Sequence, residues 1–393
     1  MVTVIGCGII GLAVGLRITQ RFPHVSVALI DKESIVCRHQ SGHNSGVLHA
    51  GLYYKPGSLK ARLAVSGIRR MLAFCQEQQV AHEICGKLVV AVEESEVSRL
   101  RELHERGVAN GLSGLRWLGP GEIREREPHV AGVAAVEVPE EGIVDYPGVC
   151  RAMQQEIETR GGTFHLGEAV EVLKRRQSQW HVNGRPADYV FNCAGLHCDR
   201  VMALTGEAPP VKIVPFRGEY FTLRPQAQHL VRHLIYPVPD PAFPFLGVHY
   251  TRMIHGGVEC GPNAVLALAR EAYGWNTFSL RDTLDAVTYS GLWKFMAKYP
   301  GMSWYEVKRS LSKAEFTRSL QRLVPAVQAA DLSPGGAGVR AQAMAPDGTL
   351  LQDFSVEQRE GILHLLNAPS PGATASLAIA DYLIDVSPLA ASL

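Results

Sequence analysis

The sequence has little net charge and no long apolar run. Its 393 residues carry 39 Lys and Arg against 38 Asp and Glu, a formal net charge of +1, so the charge balance gives no reason to expect a nucleic-acid partner. No stretch of eighteen apolar residues occurs, which excludes a predicted membrane-spanning helix. Internal repeats and low-complexity segments are absent too. A chain of this length and composition is expected to form about two globular domains.

The cysteines also form no recognisable functional pattern. The eight thiols include no Cys-x-x-Cys pair and no metal-type spacing with histidine, so the sequence predicts no metal site. Unpaired cysteines of this kind are typical of a reducing compartment. The first predicted strand begins at Val2, which leaves no room ahead of it for a signal or transit peptide. We therefore expect a cytoplasmic protein, with peripheral attachment to the inner face of the cell membrane as an open alternative.

The sequence does contain a dinucleotide-binding pattern at its start. A β-branched run leads to Gly6, Gly8 and Gly11 in Gly-x-Gly-x-x-Gly spacing, and an apolar helix follows. A second apolar strand ends at Asp31, twenty residues after Gly11, with Lys32 next. In such a βαβ unit the glycines permit a tight turn and close approach to a pyrophosphate, the helix N-terminus attracts the phosphates, and the acid binds a ribose. These five residues are predicted to bind a dinucleotide.

Three further segments favour FAD over a nicotinamide cofactor. Small residues at 41–51 let backbone amides approach a bulky ligand. Residues 193–195 directly follow a predicted buried strand, where open α/β sheets bind nucleotides. Residues 367–374 precede the last predicted helix, whose N-terminus can stabilise negative charge on a flavin ring. Taken singly, each segment also fits an ordinary loop, turn or helix start. The predicted FAD ligands in them are Ser41, His43, Asn44, Ser45, Gly46, Cys193, Ala194, Gly195, Pro371, Gly372, Ala373 and Thr374.

The order of predicted elements indicates an α/β fold with an α+β insertion. Short strands alternating with turns between residues 211 and 261 predict an antiparallel sheet, whereas residues 280–327 are predicted to be mostly helical. We expect a Rossmann-like FAD-binding domain and a substrate domain built on the mainly antiparallel sheet. The predicted boundaries are 1–85, 140–210 and 335–393 for the FAD-binding domain, and 86–139 and 211–334 for the substrate domain.

Across essentially its whole length the chain resembles one family, the L-2-hydroxyglutarate dehydrogenase/oxidase flavoproteins of the D-amino-acid-oxidase-like superfamily. The motifs that carry the resemblance lie at 41–61, 243–251, 261–265, 338–342 and 367–376. The resemblance implies that the chain oxidises L-2-hydroxyglutarate to 2-oxoglutarate, with hydride passing from the α-carbon to FAD. Electrons would then pass to oxygen or to a membrane quinone.

Hydride transfer from a 2-hydroxy acid requires a base for the hydroxyl proton, and histidine suits this role near neutral pH. The candidates are His43, His49 and His249. His249 lies on a strand that is expected to form the floor of the substrate cavity, so we expect it to be the base. His49 is expected to help hold the flavin. A covalent bond between the flavin and one of these histidines stays open.

The substrate is a dianion, and arginine binds carboxylates in a bidentate manner. By resemblance to the superfamily, Arg340 occupies the place of the carboxylate-binding arginine and also lies near the flavin, with Gln342 beside it. A structural ion pair is the alternative. The second carboxylate is expected to meet Arg252, Lys55 or Tyr53.

Two questions stay open from the sequence. Residues 280–322 carry eight basic and four acidic residues together with several aromatics, so this helical segment is expected either to rest on an anionic membrane or to pack on the second domain. The same fold also supports amine oxidation of glycine or an N-methyl amino acid, and a non-catalytic flavin-binding protein is a further alternative.

Overall fold

A computed structural model describes residues 1–240, 247–274 and 276–389, without the side chains of residues 302 and 303. The α-helices are α1 (Ile9–Arg21), α2 (Leu59–Glu77), α3 (Glu94–Ala109), α4 (Pro120–Arg126), α5 (Tyr146–Thr159), α6 (Cys198–Ala203), α7 (Leu280–Val287), α8 (Ser290–Lys298), α9 (Pro300–Leu311), α10 (Lys313–Gln321) and α11 (Ser376–Val386). Short 3₁₀ turns lie at Gly195–His197, Pro225–Leu230 and Ala329–Asp331.

The strands are β1 (Val2–Ile5), β2 (Val27–Asp31), β3 (Val47–Leu48), β4 (His82–Glu83), β5 (Lys87–Ala91), β6 (Arg116–Leu118), β7 (Ala134–Val138), β8 (Gly142–Val144), β9 (Thr163–Leu166), β10 (Leu173–Arg176), β11 (Gln179–Val182), β12 (Arg185–Ala187), β13 (Tyr189–Asn192), β14 (Lys212–Leu223), β15 (Leu234–Pro237), β16 (His249–Arg252), β17 (Val258–Gly261), β18 (Val265–Leu266), β19 (Leu332–Met344), β20 (Ser355–Arg359) and β21 (Ile362–Asn367).

The first sheet has the order β20-β21-β13-β1-β2-β9 and is parallel except at its edge strand β20. Successive side chains of a strand point to opposite faces, so alternate residues enter different cores. Val2 and Val4 pack in the core that contains helices α1, α5 and α11. Ile5 packs with Trp180 against the three-stranded meander β10-β11-β12 on the other face. Both faces are therefore covered, as a parallel sheet requires.

The register of this sheet aligns the carboxyl ends of its central strands. Ile5 at the end of β1 pairs with Ile30 of β2 and with Asn192 of β13. The glycine turn, Asp31 and the segment that follows Asn192 consequently meet at one edge. This is the edge at which open α/β sheets bind nucleotides.

The second sheet is mixed but mainly antiparallel, with the order β18-β14-β17-β16-β15-β5-β7-β6, and β19 pairs with β14. Only the β15-β5 pair is parallel. The long strand β19 runs beside β14 from the Lys212–Met344 pair to the Leu223–Leu332 pair. Sequence reasoning gave no strand there, because Pro334, Gly335 and Gly336 are typical of a turn. This strand carries Arg340 to the second sheet.

The remaining elements close the structure around the two sheets. Helices α7 to α10 pack on the second sheet through residues such as Phe295 and Phe316, and the small sheet β3-β8-β4 lies beside helix α5 in the main core. Within the described residues no helix is long and apolar enough to cross a membrane. The predicted fold class is confirmed. The predicted domain boundaries stay a prediction.

Candidate active site

One large cavity, about 1240 Å³ in volume, touches both main sheets. Gly6, Asp31 and Cys193 line it from the first sheet, and His249 and Arg340 line it from the second. Pockets for drug-sized ligands are usually about 300–1,000 Å³. This cavity therefore has room for an extended dinucleotide together with a small substrate.

The glycine turn at one end of the cavity leaves no space for side chains. Gly6 has a φ of +103°, and a Cβ there would lie 2.5 Å from the carbonyl oxygen of Cys193. A Cβ at Gly11 would overlap the carbonyl oxygen of Gly6, so Gly11 serves helix packing and does not line the cavity. Gly8 does line it, and the Ser41 hydroxyl accepts the N–H of Ile9 at 2.9 Å, at the start of helix α1.

Asp31 lines the cavity at the end of β2 and is held by backbone groups. Its two oxygens accept the N–H of Cys7 at 2.6 Å and of Glu33 at 2.9 Å. Neutral amide donors fix the carboxylate beside the glycine turn and leave further lone pairs for a ribose. This geometry fits the predicted role of Asp31.

A charged cluster adjoins Asp31. Glu33, His39 and Glu271 approach one another closely enough to hold a metal ion. The Lys32 ammonium contacts Glu33 and lies 2.7 Å from Glu271, so a cation already joins the two carboxylates. We interpret the cluster as an ion-pair network. Lys32 itself lines the cavity.

The loop from Ser41 to Gly46 is folded by its own asparagine. The Asn44 amide donates to the carbonyl of Ser41 at 2.8 Å and accepts the N–H of Gly46 at 2.9 Å. His43 stacks on Tyr273 at 4.0 Å, and burial lowers its pKa. Ser41, His43, Asn44 and Ser45 line the cavity, whereas Gly46 turns the chain behind it, with a φ of +67°.

The two other predicted cofactor segments also reach the cavity. Residues 193–195 and 371–374 all line it. Thr374 is buried, and its hydroxyl lies 2.7 Å from the Tyr146 hydroxyl and 3.2 Å from the backbone N–H of His49. Thr374 therefore fastens the C-terminal segment to the loop that carries His49, in addition to lining the cavity.

At the other end of the cavity, His249 is buried and its ring faces a neutral backbone carbonyl. Its ring stacks on Tyr236 with centroids 3.9 Å apart. Its Nδ1 lies 2.9 Å from the carbonyl oxygen of Gly247 and must donate to it, which leaves a lone pair on Nε2. Burial lowers the pKa of His249 to about 3, and the positive charges of Arg340 and Lys87 add to this effect. His249 is thus neutral near pH 7.

His49 lies in a charged setting on the same cavity. Its Nδ1 is 3.3 Å from the Glu141 carboxylate, and its ring meets the Tyr236 ring edge-on at 6.3 Å. Glu141 is completely buried and forms an ion pair of 2.5 Å with Lys87, which is also completely buried. The carboxylate favours the tautomer of His49 with the proton on Nδ1.

The structure brings some of the predicted substrate ligands to the cavity and leaves others outside it. Arg340 lines the cavity, and burial lowers its pKa, although an arginine stays charged. Tyr53 also lines it, and its buried hydroxyl has no hydrogen-bond partner among the described residues. Gln342 lines the cavity, but its amide donates to the carbonyl of Leu351 at 3.2 Å. An unsatisfied buried hydroxyl is costly, which indicates a ligand at Tyr53.

Two predicted ligands are not brought to the cavity, and we do not retain them. Arg252 forms a bidentate ion pair with Glu83, with distances of 2.9 and 2.7 Å, and Lys55 is exposed outside the lining. Residues 243–246 of the predicted motif 243–251 lie outside the described residues.

Sequence reasoning missed four residues at the substrate end. Lys87, Glu141 and Tyr236 surround the two histidines, and Lys60 lines the cavity with its Nζ 4.7 Å from the ring centre of Tyr54. Burial lowers the pKa of Lys60 to about 8. Lys87 is the first residue of the otherwise apolar strand β5. A charged residue at the start of such a buried strand is the sequence feature that could have indicated a functional role for Lys87.

The fold of this chain is that of FAD-binding oxidases and dehydrogenases. It is similar to L-α-glycerophosphate oxidase from Mycoplasma pneumoniae, solved with FAD bound, with a TM-score of 0.80 and 20% identity over 98% of this chain and 94% of that one. It is also similar to glycine oxidase from Geobacillus kaustophilus, with a TM-score of 0.73 and 18% identity over 98% and 93%. The profile of the FAD dependent oxidoreductase family, DAO, matches residues 1–386. The class is therefore FAD-dependent oxidoreductase.

Closer relatives define the family within this class. L-2-hydroxyglutarate dehydrogenase of Indibacter alkaliphilus is 46% identical over 96% of this chain and 96% of its own length. The Escherichia coli protein of that name is 42% identical over 97% and 91%, and the human mitochondrial one is 39% identical over 98% and 88%. The chain belongs to the L-2-hydroxyglutarate dehydrogenase family of FAD-dependent oxidoreductases.

The residues present fit the FAD that this family uses. Gly8 opens directly onto the cavity, and a Cβ added there would meet the Ser41 hydroxyl at 3.2 Å. The cavity then continues past residues 193–195 and the segment before helix α11 to the two histidines. Most of the ligands predicted for FAD therefore share one continuous space with Tyr53, Arg340 and Gln342 of those predicted for the substrate.

Proposed function

We propose that this chain oxidises L-2-hydroxyglutarate to 2-oxoglutarate in this cavity. The observation that carries the proposal is the convergence of His49, His249, Tyr53 and Arg340 on the space that also contains the predicted flavin ligands. FAD bound there supplies the hydride acceptor. The protein has to bind a dianion, align its α-carbon and take up the proton of its hydroxyl.

The cationic and donor groups at this end suit a dicarboxylate. Arg340 can bind one carboxylate through two N–H donors. Burial raises the pKa of Tyr53 well above its ordinary value, so its hydroxyl stays a hydrogen-bond donor for a carboxylate oxygen. A carboxylate of the substrate beside Arg340 would also offset part of the cost of burying that charge.

We further propose that His49 accepts the hydroxyl proton and that neutral His249 orients the substrate. Proton uptake creates an imidazolium, and the Glu141 carboxylate beside Nδ1 of His49 stabilises that cation. Nδ1 of His249 faces a neutral carbonyl oxygen, and the positive charges of Arg340 and Lys87 act on the ring, so its protonation is opposed. This assignment differs from the sequence prediction, in which His249 was the base and His49 helped to hold the flavin.

The electron acceptor, oxygen or a membrane quinone, stays open. We propose that the segment 280–322 makes peripheral contact with an anionic membrane, which would favour a quinone. The support is the exposure of large apolar side chains there, among them Trp293, Trp304 and Leu311, beside an excess of basic residues.

Anaerobic mixing with candidate substrates tests the proposed function. L-2-hydroxyglutarate is expected to bleach the flavin absorbance faster than D-2-hydroxyglutarate, glycine or sarcosine. One molecule of 2-oxoglutarate should form for each flavin that is reduced. Faster bleaching by glycine or sarcosine would instead assign the chain to the amine oxidases of the same fold. No bleaching by any of them would leave a flavin-binding protein without this activity.

A further inference from the structure

We propose that Lys87 and Glu141 form a buried positioning pair for His49. Glu141 fixes the ring tautomer and stabilises the charged ring, while Lys87 keeps Glu141 in place as a carboxylate and limits the negative charge that His49 experiences. The inference rests on the proposed function and adds to it two residues that do not line the cavity.

Glu141 is held from three directions in the turn between β7 and β8. Oε1 accepts the N–H of Ala50 at 3.1 Å, and Oε2 lies 3.3 Å from Nδ1 of His49 and 2.5 Å from Nζ of Lys87. Its own carbonyl accepts the N–H of Gly86 at 2.9 Å. The carboxylate is therefore fixed on the residue next to His49 as well as on the His49 ring. A group held this way can orient a ring without touching the substrate.

Lys87 is an expensive residue at its position. It opens strand β5, has no exposed side-chain surface, and its Nζ lies 4.5 Å from the Tyr53 ring centre and 5.0 Å from that of Tyr236. Burial lowers the pKa of Lys87, with Glu141 opposing. Replacing both members of such a buried pair with apolar residues is often neutral or stabilising. The pair is consequently better explained by the histidine that it contacts than by stability.

The ionisation of the pair supports this interpretation. Burial alone would raise the pKa of Glu141, but Lys87 and His49 lower it to about 2, so it is a carboxylate throughout the neutral range. Among the described residues, Glu141 and Tyr236 contact the His49 ring, Lys87 pairs with Glu141 and contacts Tyr53, and His249 and Arg340 line the same cavity. The negative charge of Glu141 and the positive charge of Lys87 act on the pKa of His49 in opposite directions. Removing each charge singly should therefore move the pH profile in opposite directions, which tests the proposal.

The chain offers a matched control pair outside the cavity. Glu127 is completely buried, and its Oε1 lies 2.8 Å from Nδ1 of His233 and accepts the His233 backbone N–H at 2.6 Å. It therefore reproduces the buried Glu–His contact and the backbone anchor of Glu141. Neither Glu127 nor His233 lines the large cavity. Glu127→Gln should lower stability without changing catalysis.

The decisive measurement is the pH dependence of anaerobic flavin reduction in Glu141→Gln and Lys87→Met. In Glu141→Gln the reduction rate should fall by about 10²-fold, and the acid limb of the profile should move to lower pH by about one unit, because the imidazolium loses its counter-charge. In Lys87→Met the acid limb should move the opposite way, because the full charge of Glu141 then acts on His49. Glu127→Gln should leave the limb in place.

The double variant Lys87→Met/Glu141→Gln guards against loss of folding in the single variants, since it removes both buried charges together. It should fold and retain FAD, yet keep the slow rate and the low-pH limb of Glu141→Gln. Shifts in the same direction for the two single variants, or no shift in either, would overturn the proposal. A double variant with normal rate and normal limb would overturn it as well.

Nitrogen NMR of the histidine rings separates this inference from the proposed function. In the protein without substrate, His49 should carry its proton on Nδ1, and Glu141→Gln should mix the two tautomers. If L-2-hydroxyglutarate does not reduce the flavin of the wild-type protein but His49 carries its proton on Nδ1 there and mixes tautomers in Glu141→Gln, the result would contradict the proposed function and support the positioning pair. A mixed tautomer already present in wild type would contradict the pair, whatever the substrate is.

Discussion

The two ends of the cavity differ in what forms their walls. At the dinucleotide end part of the wall is bare backbone, and Gly6, Gly8 and Gly11 lie where added side chains would meet other atoms or enter the ligand space. At the substrate end the walls are side chains from distant segments, such as His49 from the first half of the chain and Arg340 from the last strand of the second sheet. Adding side-chain atoms should therefore impair the dinucleotide end, whereas removing side-chain atoms should impair the substrate end.

The largest effect is expected from adding atoms at the dinucleotide end. Gly8→Val should yield protein without FAD, because the branched side chain enters the space of the pyrophosphate. Steric overlap of this kind typically costs about 1–3 kcal/mol and occasionally more, and each ~1.4 kcal/mol weakens binding about tenfold. The flavin absorbance of the purified protein, and its recovery on adding FAD, measure the effect.

Gly15→Ala is the control in the same helix. A Cβ there meets the flexible Leu29 side chain at 3.1 Å and lies outside the cavity lining. This variant should lose some stability and keep its FAD. If Gly8→Val were as yellow as wild type, the proposed contrast between the two ends would fail.

Removing atoms at the substrate end should leave FAD bound and slow the reaction. His49→Ala is expected to reduce the rate of anaerobic flavin reduction by about 10²–10⁴-fold, the usual loss for a general base. His249→Ala should cost less, because a neutral orienting group supplies about one hydrogen bond. Stopped-flow absorbance at saturating L-2-hydroxyglutarate separates the two variants.

His104→Ala provides the comparison for this pair, since His104 lies on helix α3 against Trp117 and does not line the cavity. It should reduce the flavin at the wild-type rate. A larger loss in His249→Ala than in His49→Ala would return the role of base to His249, as the sequence predicted.

The same contrast explains how much the sequence could predict. A backbone requirement leaves a local trace, so the spacing of Gly6, Gly8 and Gly11 with Asp31 predicted the first sheet and its nucleotide edge correctly. The buried strand expected directly before residue 193 and the last helix expected after residue 374 are observed as β13 and α11. Strand β19 was missed because its Pro and Gly residues imitate a turn, and only pairing with β14 makes it a strand.

Side-chain constellations leave no such local trace. Lys87 and Glu141 are 54 positions apart and meet only because β5 and β7 pair and the turn after β7 folds back. Arg252 shows the converse, because its sequence position favoured a substrate ligand, whereas Glu83 from strand β4 already binds its guanidinium. Ion pairs between residues that are distant in sequence, such as Arg252 and Glu83, can therefore keep a predicted ligand away from the cavity.

A smaller effect is expected from a substitution at the substrate end that keeps the positive charge of the side chain but changes its shape. Arg340→Lys retains a cation and loses the two-pronged contact to a carboxylate, so KM for L-2-hydroxyglutarate should rise about tenfold or more, about 1.4 kcal/mol. Arg359→Lys, at an exposed ion pair with Glu207, should leave KM unchanged. Steady-state kinetics test both. An unchanged KM in Arg340→Lys would assign this arginine to structure and leave Tyr53 as the main carboxylate contact.

The smallest effect is expected outside the cavity, where the surface itself differs between regions. Trp304 and Leu311 on helix α9 are 71% and 72% exposed, and other large apolar side chains of the segment 280–322 are exposed near them in sequence. Replacing both with serine should weaken binding to anionic vesicles by about threefold to tenfold, because each side chain is only partly buried at a lipid surface. Val108→Ser, which changes a 57% exposed residue of helix α3, should not alter vesicle binding. Equal sedimentation of all three proteins with vesicles would remove the membrane contact from the proposal, and oxygen would then be the acceptor to test first.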